Sequence, residues 1–260
     1  ACRENPKLRG DKEYRFLLEM PKAERDLSDL LSHDRIAGWN KAAVVDILRQ
    51  VAKHLQYLHR ECGRIHGDLK PRNIVKVPNP DSETGGRWIL IDMDASCTLG
   101  DLAGQKVTSS AYFPPEMARR ELKKEGGGVP ATVPFEMWYY GLLVFQLCTV
   151  DGETVWKSSQ ADNLVDDQDL EKLAYHFETM KLERTLRILG SSAFHPVTNA
   201  EQSWQAAADL ALWCLQPNPQ RRPHSMEQVL SHPFLSGEGS NHLCDDINTR
   251  AHQLHEAVEA

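Results

Sequence analysis

Asp68, Lys70 and Asn73 put a carboxylate, an ammonium and an amide within six residues of one another. They belong to the polar stretch Ile65-His66-Gly67-Asp68-Leu69-Lys70-Pro71-Arg72-Asn73, which runs into the apolar pair Ile74-Val75. Farther on, the apolar run Trp88-Ile89-Leu90-Ile91 delivers Asp92-Met93-Asp94. A base, a cation and two oxygen ligands for a hard metal ion, each held at a strand end, are the parts that phosphoryl transfer requires. A lone Asp or Asn in a loop more often caps a turn. Three such groups in this order, followed by a second acidic strand end, favour chemistry over capping.

Two strands must hold these groups. Ile74-Val75-Lys76-Val77 and Trp88-Ile89-Leu90-Ile91 are joined by residues 78–87, rich in Pro, Asp, Ser and Gly, and predict a long hairpin with an exposed loop. Its near end carries Asn73 and Asp92 beside Asp68, and two oxygen ligands converging from neighbouring strand ends suit Mg²⁺. Ahead of the loop, Val44, Ile47, Leu48, Val51, Leu55 and Leu58 recur at three and four, the stripe of an amphipathic helix over Lys41 to His59. Tyr14 to Met20 predicts a buried strand stopped by Pro21, and the apolar run Tyr139 to Leu147 predicts a buried helix. The charged, glycine-rich stretch Arg119 to Gly128 predicts a solvated loop. Ser236 to Asn241 predicts a linker, and Asp245 to Val258 a short amphipathic helix.

Composition excludes several classes. The formal charge of -7 argues against a nucleic-acid surface, which needs a concentrated basic face. No apolar run is long enough to span a membrane. Arg3, Glu4, Lys7 and Arg9 interrupt the amino end, so no secretory pattern is visible there. The six cysteines (Cys2, Cys62, Cys97, Cys148, Cys214 and Cys244) form no C-x-x-C pair and fit neither a zinc site nor a disulfide framework. Reduced thiols and a cytoplasmic location are the expectation.

His66-Gly67-Asp68-Leu69-Lys70-Pro71-Arg72-Asn73 resembles the protein-kinase catalytic loop H-R-D-L-x-x-x-N, and Asp92-Met93-Asp94 resembles a variant D-F-G. Pro114-Pro115-Glu116 stands in the place of A-P-E. Phe135 to Phe145 is similar to the D-x-W-x-x-G start of the central helix. Asn218-Pro219-Gln220-Arg221-Arg222-Pro223 resembles the D-P-x-x-R-P turn, and His232-Pro233-Phe234 the closing H-P-F. The likeness covers residues 14 to 236. It implies an α+β fold, a mostly helical kinase C-lobe with a small β-hairpin and one or two N-terminal strands. It divides the chain into residues 1–25 (strand remnant and hinge), 26–236 (C-lobe) and 237–260 (linker and terminal helix).

By the same resemblance the chain uses ATP and Mg²⁺ on a protein Ser/Thr substrate. Asp68 would accept or orient the hydroxyl proton, Lys70 would neutralise the transferring phosphoryl group, and Asn73 and Asp92 would hold the metal ions. Glu19, Met20 and Pro21 would form the hinge that meets adenine, and Asp26 or Ser28 would meet the ribose. Residues Ala95 to Phe113 would be the activation segment, with Ser109 against Asp68 and Lys70. Arg222 would pair with Glu116. His66 is expected to be a packed structural residue. Lys70 at this spacing favours Ser/Thr over Tyr.

Some positions depart from the pattern. Gly67 replaces an arginine that grips phosphorylated activation loops, which predicts a switch that does not run through that route. Asp94 replaces a glycine where the chain must turn. Glu136 stands where a shorter aspartate braces the catalytic loop. The 260 residues contain no G-x-G-x-x-G, no V-A-I-K lysine and no partner-glutamate helix. The expectation is therefore a Ser/Thr kinase catalytic region in truncated form. A pseudokinase-like module that binds partners without transfer is the alternative, and an unrelated α/β enzyme is a distant third.

Overall fold

Two short antiparallel strands, β1 (Cys2–Glu4) and β2 (Phe16–Leu18), begin the chain in the computed structural model, with Cys2 opposite Leu18. The structure describes residues 2–4, 16–34, 36–79, 86–104, 109–124, 127–149, 152, 154–159, 162–177 and 201–237. Strand β3 (Arg25–Asp26) leads straight into helix α1 (Leu27–His33), whose N-cap is Asp26. Its carboxylate accepts from the Asp29 N–H at 2.8 Å, satisfying one of the donors that every helix start leaves over.

The predicted stripe forms helix α2 (Lys41–Arg60), capped by Asn40, with Val44, Ile47, Leu48, Val51, Ala52 and Leu55 buried along one face. Strand β4 (Arg64–Ile65) follows, then a 3₁₀ turn over Pro71–Asn73 and the hairpin β5 (Ile74–Pro78) and β6 (Gly86–Leu90). Five consecutive pairs fix its register, from Ile74 opposite Leu90 to Pro78 opposite Gly86. Strand β3 adds to its other side, with Asp26 opposite Val75. Strands β7 (Cys97–Thr98) and β8 (Leu102–Ala103) are two residues each, and β7 pairs with β4.

Helix α3 (Pro115–Lys123) occupies half of the stretch expected to be a solvated loop. Its sequence has a helical logic that the neighbouring glycines obscure. Pro115 stands in the first turn, Glu116 faces the positive end of the helix dipole, and Arg120 and Lys123 face the negative end. Met117 and Ala118 are buried beneath the charges. The helix ends at Lys124, in a left-handed conformation (φ 50°). Strand β9 (Val129–Pro130) then pairs with β8.

Helix α4 (Val133–Cys148) is buried on every side, as a helix apolar all round must be. Thr132 caps it, its hydroxyl accepting from the Phe135 N–H at 3.2 Å. Each large apolar side chain it buries stabilises the fold by about 1.5–3 kcal/mol. Helix α5 (Asp167–Tyr175) packs against α3, where Arg119 donates to the Ala174 carbonyl at 2.8 Å. Helix α6 (Glu201–Cys214) packs closely on α4. Gly141 permits the approach, since a Cβ there would stand 2.7 Å from that of Cys214. Helices α7 (Met226–Leu230), with a Ser225/Gln228 capping box, and α8 (Pro233–Ser236) close the described chain. The expected C-terminal helix over 245–258 lies outside the described residues, as do Tyr14, Arg15 and Thr108. No described helix is long and apolar enough to cross a membrane.

Candidate active site

Pairing of β4 with β7 delivers the chain to His66, whose ring is buried with Nε2 3.0 Å from the Ile91 carbonyl. Helix α4 then fixes the loop from beneath. The backbone N–H groups of His66 and Gly67 donate to the two oxygens of the Glu136 carboxylate, at 2.7 and 2.9 Å, and His59 Nε2 donates to it at 3.0 Å. The extra methylene relative to aspartate therefore does not loosen the brace.

Burial pushes Glu136 upward, but the His59 hydrogen bond, the fields of His59 and His66 and the Gly67 N–H together hold it below the usual carboxylate range. Gly67 takes φ +80°, and a Cβ there would come within 2.5 Å of the Ala95 carbonyl oxygen. An arginine has no room in this backbone arrangement.

Asp68 is 8 % exposed, and its carboxylate gathers three neighbours. Lys70 Nζ lies 2.8 Å from Oδ2, Asn73 Nδ2 3.3 Å from the same oxygen, and the Ser109 N–H 3.4 Å from Oδ1. Lys70 also donates to the Ser109 hydroxyl at 2.7 Å. Asn73 Nδ2 donates to the Asp68 carbonyl at 2.8 Å, which turns its Oδ1 away as a lone-pair donor. The Ile91 N–H donates to the Asn73 carbonyl at 2.9 Å, so Asn73 and Asp92 leave the same end of the hairpin. One amide oxygen and one carboxylate form a donor set suited to a hard cation that keeps most of its water.

The turn after β6 differs from expectation in one respect. Asp92, not Asp94, takes the left-handed conformation (φ 62°), and Met93 to Ala95 follow as a 3₁₀ turn. The backbone demand thus falls one residue pair earlier than the missing glycine suggested, on an aspartate, a type that tolerates it better than most. Met93 is exposed.

The remaining expected residues are more spread out. Glu19 and Met20 lie on the exposed irregular stretch between β2 and β3. Asp26 is committed through Oδ1 as the cap of α1, a helix that packs on the Pro71–Asn73 turn. At the start of α3, Arg222 Nη1 and Nη2 grip Glu116 at 2.7 and 2.8 Å. Arg222 is 1 % exposed and spends its other donors on the carbonyls of Gln216, Pro134 and Pro217.

Two residues without an assigned role in the sequence also reach this site. Asp162 Oδ2 lies 3.3 Å from Arg72 Nε and 4.0 Å from Lys70 Nζ. Burial raises the Tyr112 phenol well above its usual range, with Asp162 and Asp68 adding to that effect against Arg72. Asp162 lies in a stretch with no motif; its one local signal is that an Asp followed by Asn suits a left-handed turn, which it adopts (φ 59°).

A family model described as "Protein kinase domain" matches residues 6–235. Serine/threonine-protein kinase CHK1 of Saccharomyces cerevisiae is 26 % identical over 249 residues, covering 94 % of this chain and 41 % of that protein. The calcium/calmodulin-dependent protein kinase cmkA of Emericella nidulans is 26 % identical over 215 residues, 80 % of this chain and 43 % of that one. The inhibitor of nuclear factor kappa-B kinase subunit alpha of Danio rerio is 34 % identical over 128 residues, 47 % of this chain and 15 % of the relative. The chain thus spans well under half the length of these curated relatives. Among solved structures, the Cydia pomonella granulovirus kinase PK-1 shares the fold with a TM-score of 0.52 at 18 % identity, covering 82 % of this chain and 67 % of that one.

Proposed function

The chain belongs to the protein kinase family, and from that premise we propose that it transfers the γ-phosphoryl group of ATP to a serine or threonine hydroxyl of a protein. The observation that carries this reading is the cluster of Asp68, Lys70, Asn73 and Ser109, joined by contacts of 2.7–3.4 Å. In the reaction, the acceptor oxygen forms a bond to the γ-phosphorus while the bond to the β–γ bridging oxygen breaks. The hydroxyl proton goes to an Asp68 oxygen, and ADP leaves. Lys70 spreads positive charge over the transferring group, and its short bond to Ser109 keeps it oriented. Asn73 and Asp92 would hold Mg²⁺, which neutralises phosphate charge when bound. Glu136 acts through the backbone, fixing the direction from which Asp68 meets the acceptor.

The Ser/Thr preference rests on Lys70 two residues after Asp68 and on the Ser/Thr kinases among the relatives. A second reading, a module that binds nucleotide or partners without transfer, is favoured by the departures at Gly67 and Asp94 from the resembled motifs.

One experiment separates them. The chain is incubated with γ-labelled ATP, Mg²⁺ and a mixed protein acceptor, and label stable to acid but labile to alkali is scored. Asp68→Asn should abolish transfer while leaving the ATP- and Mg²⁺-dependent thermal shift in place. Transfer surviving in Asp68→Asn refutes the role of Asp68, and a thermal shift without transfer in the wild-type chain favours the second reading.

A further inference from the structure

Resting on the transfer reading above, we infer that Arg72 reads an acidic side chain on the acceptor peptide, with Asp162 as the positioning residue that aims it. Arg72 is one residue before Asn73 and two after Lys70, at the mouth of the site. Its side chain is 49 % exposed, whereas that of Asp162 is 14 % exposed. The nearest approach of Asp162 to Arg72 is at Nε, 3.3 Å from Oδ2. The terminal nitrogens of the guanidinium donate no hydrogen bond among the described residues. That two-nitrogen edge is the part of an arginine that matches a carboxylate bidentately.

The carboxylate behind Arg72 is delivered by a built arrangement. Ser158 and Leu164 bridge, the Asp162 N–H donates to the Ser159 carbonyl at 3.0 Å, and Ser159 N–H donates to the Asn163 carbonyl at 2.8 Å. This turn is sewn to the chain just after Ser109. Ser110 N–H and hydroxyl donate to Asn163 Oδ1 at 3.2 and 3.3 Å, the Leu164 N–H donates to the Ser110 hydroxyl at 2.9 Å, and the Ala111 N–H to the Asp162 carbonyl at 3.2 Å. The same segment therefore holds both Ser109 against the catalytic lysine and Asp162 against Arg72. A peptide that brings its hydroxyl to Asp68 passes the open edge of this guanidinium. A glutamate or aspartate flanking the acceptor completes a carboxylate–guanidinium–carboxylate stack, and a flanking lysine meets like charge.

The test uses the 260-residue chain and two fluorescent peptides that differ only in Glu or Gln around a central alanine standing in for the acceptor. Binding is followed by anisotropy, which needs no transfer. The Glu peptide should bind about fivefold tighter, the upper range for a part-exposed charge pair, and the margin should shrink with added salt. Arg72→Gln should remove the margin and Arg72→Glu should turn it towards a Lys-flanked peptide, a gain that a misfolded variant cannot show. Asp162→Asn should narrow it, with partial rescue by Asp162→Glu. Equal affinity for the Glu and Gln peptides, or an undiminished margin in Arg72→Gln, overturns the inference. Serine versions assayed for transfer in parallel keep the two readings apart. A binding preference without transfer leaves this inference standing and refutes the kinase reading; transfer without a preference does the reverse.

Discussion

Replacing Glu136 by glutamine removes one oxygen acceptor and one charge from the centre of the fold. The carboxylate is completely buried and takes three hydrogen bonds, from the His66 and Gly67 N–H groups and from His59. Placed where Oε2 stands, the amide oxygen of glutamine can keep two of them, those from the His66 N–H and His59. Its NH₂ group faces a second N–H, leaving a buried donor unsatisfied at about 1–3 kcal/mol, and the His59 bond loses its charge assistance. The sum is roughly 2–4 kcal/mol, which at about 2–4 °C per kcal/mol lowers the melting temperature by roughly 4–16 °C. The loop that carries Asp68 loses its anchor as well, so transfer should slow on the order of tenfold or more.

A pH series adds a sign to the test. The folded-state pKa of Glu136 is lowered from 4.5, so the stability it contributes is complete above that value and is lost as pH falls through the folded-state value. Glutamine cannot titrate. Urea denaturation of the two proteins should show the wild-type advantage intact near neutrality and shrinking as the pH drops below 4.5. A variant within about 0.5 kcal/mol of wild type, the range of ordinary surface changes, or a difference that does not move with pH, refutes the account of the brace.

Other outcomes follow from the same geometry. Gly67→Ala forces a Cβ against the Ala95 carbonyl at positive φ; it should cost at least about 1–2 kcal/mol in urea titrations. Because Gly67 leaves the loop without that cation, phosphatase treatment should leave transfer unchanged, and a large loss would show that a phosphorylated segment is gripped by other residues. Arg222→Met removes the cation beside Glu116; breaking such a buried pair should cost about 3–5 kcal/mol, read as an earlier denaturation midpoint. Burial raises the Cys148 and Cys214 thiols far above their usual range, whereas Cys62 is exposed. Peptide mapping after brief alkylation should find Cys62 modified and Cys148 and Cys214 intact until denaturant is added.

What could be read from the residues alone was what lies close along the chain or depends on pattern. Asp68, Lys70 and Asn73 are neighbours in sequence, and a short loop ahead of a strand leaves them few ways to separate. The α2 stripe and the apolar α4 run announce themselves because burial dictates their periodicity. Helix α3 was hidden because charges next to a glycine run look like a solvated loop; its buried side is only Pro115, Met117 and Ala118, too narrow to stand out. Asp162 was hidden for another reason. Its partners Lys70 and Arg72 are some ninety residues away in the sequence, and the turn that presents it is held by side-chain hydrogen bonds from Ser110 and Asn163 rather than by hydrophobic spacing. The turn at Asp92 shows the limit of reading one position at a time, since the awkward backbone angle falls two residues ahead of Asp94.

The ladder of five pairs between β5 and β6 insulates its two ends from each other. Whatever is spliced between Pro78 and Gly86, be it an epitope, a fluorophore-bearing peptide or a longer natural segment, enters beyond the last rung. The rung at Ile74 and Leu90 keeps Asn73 and Asp92 in step regardless of that cargo. This chain therefore offers a place to attach a reporter without touching its chemistry, and lineages could lengthen or shorten that tip freely.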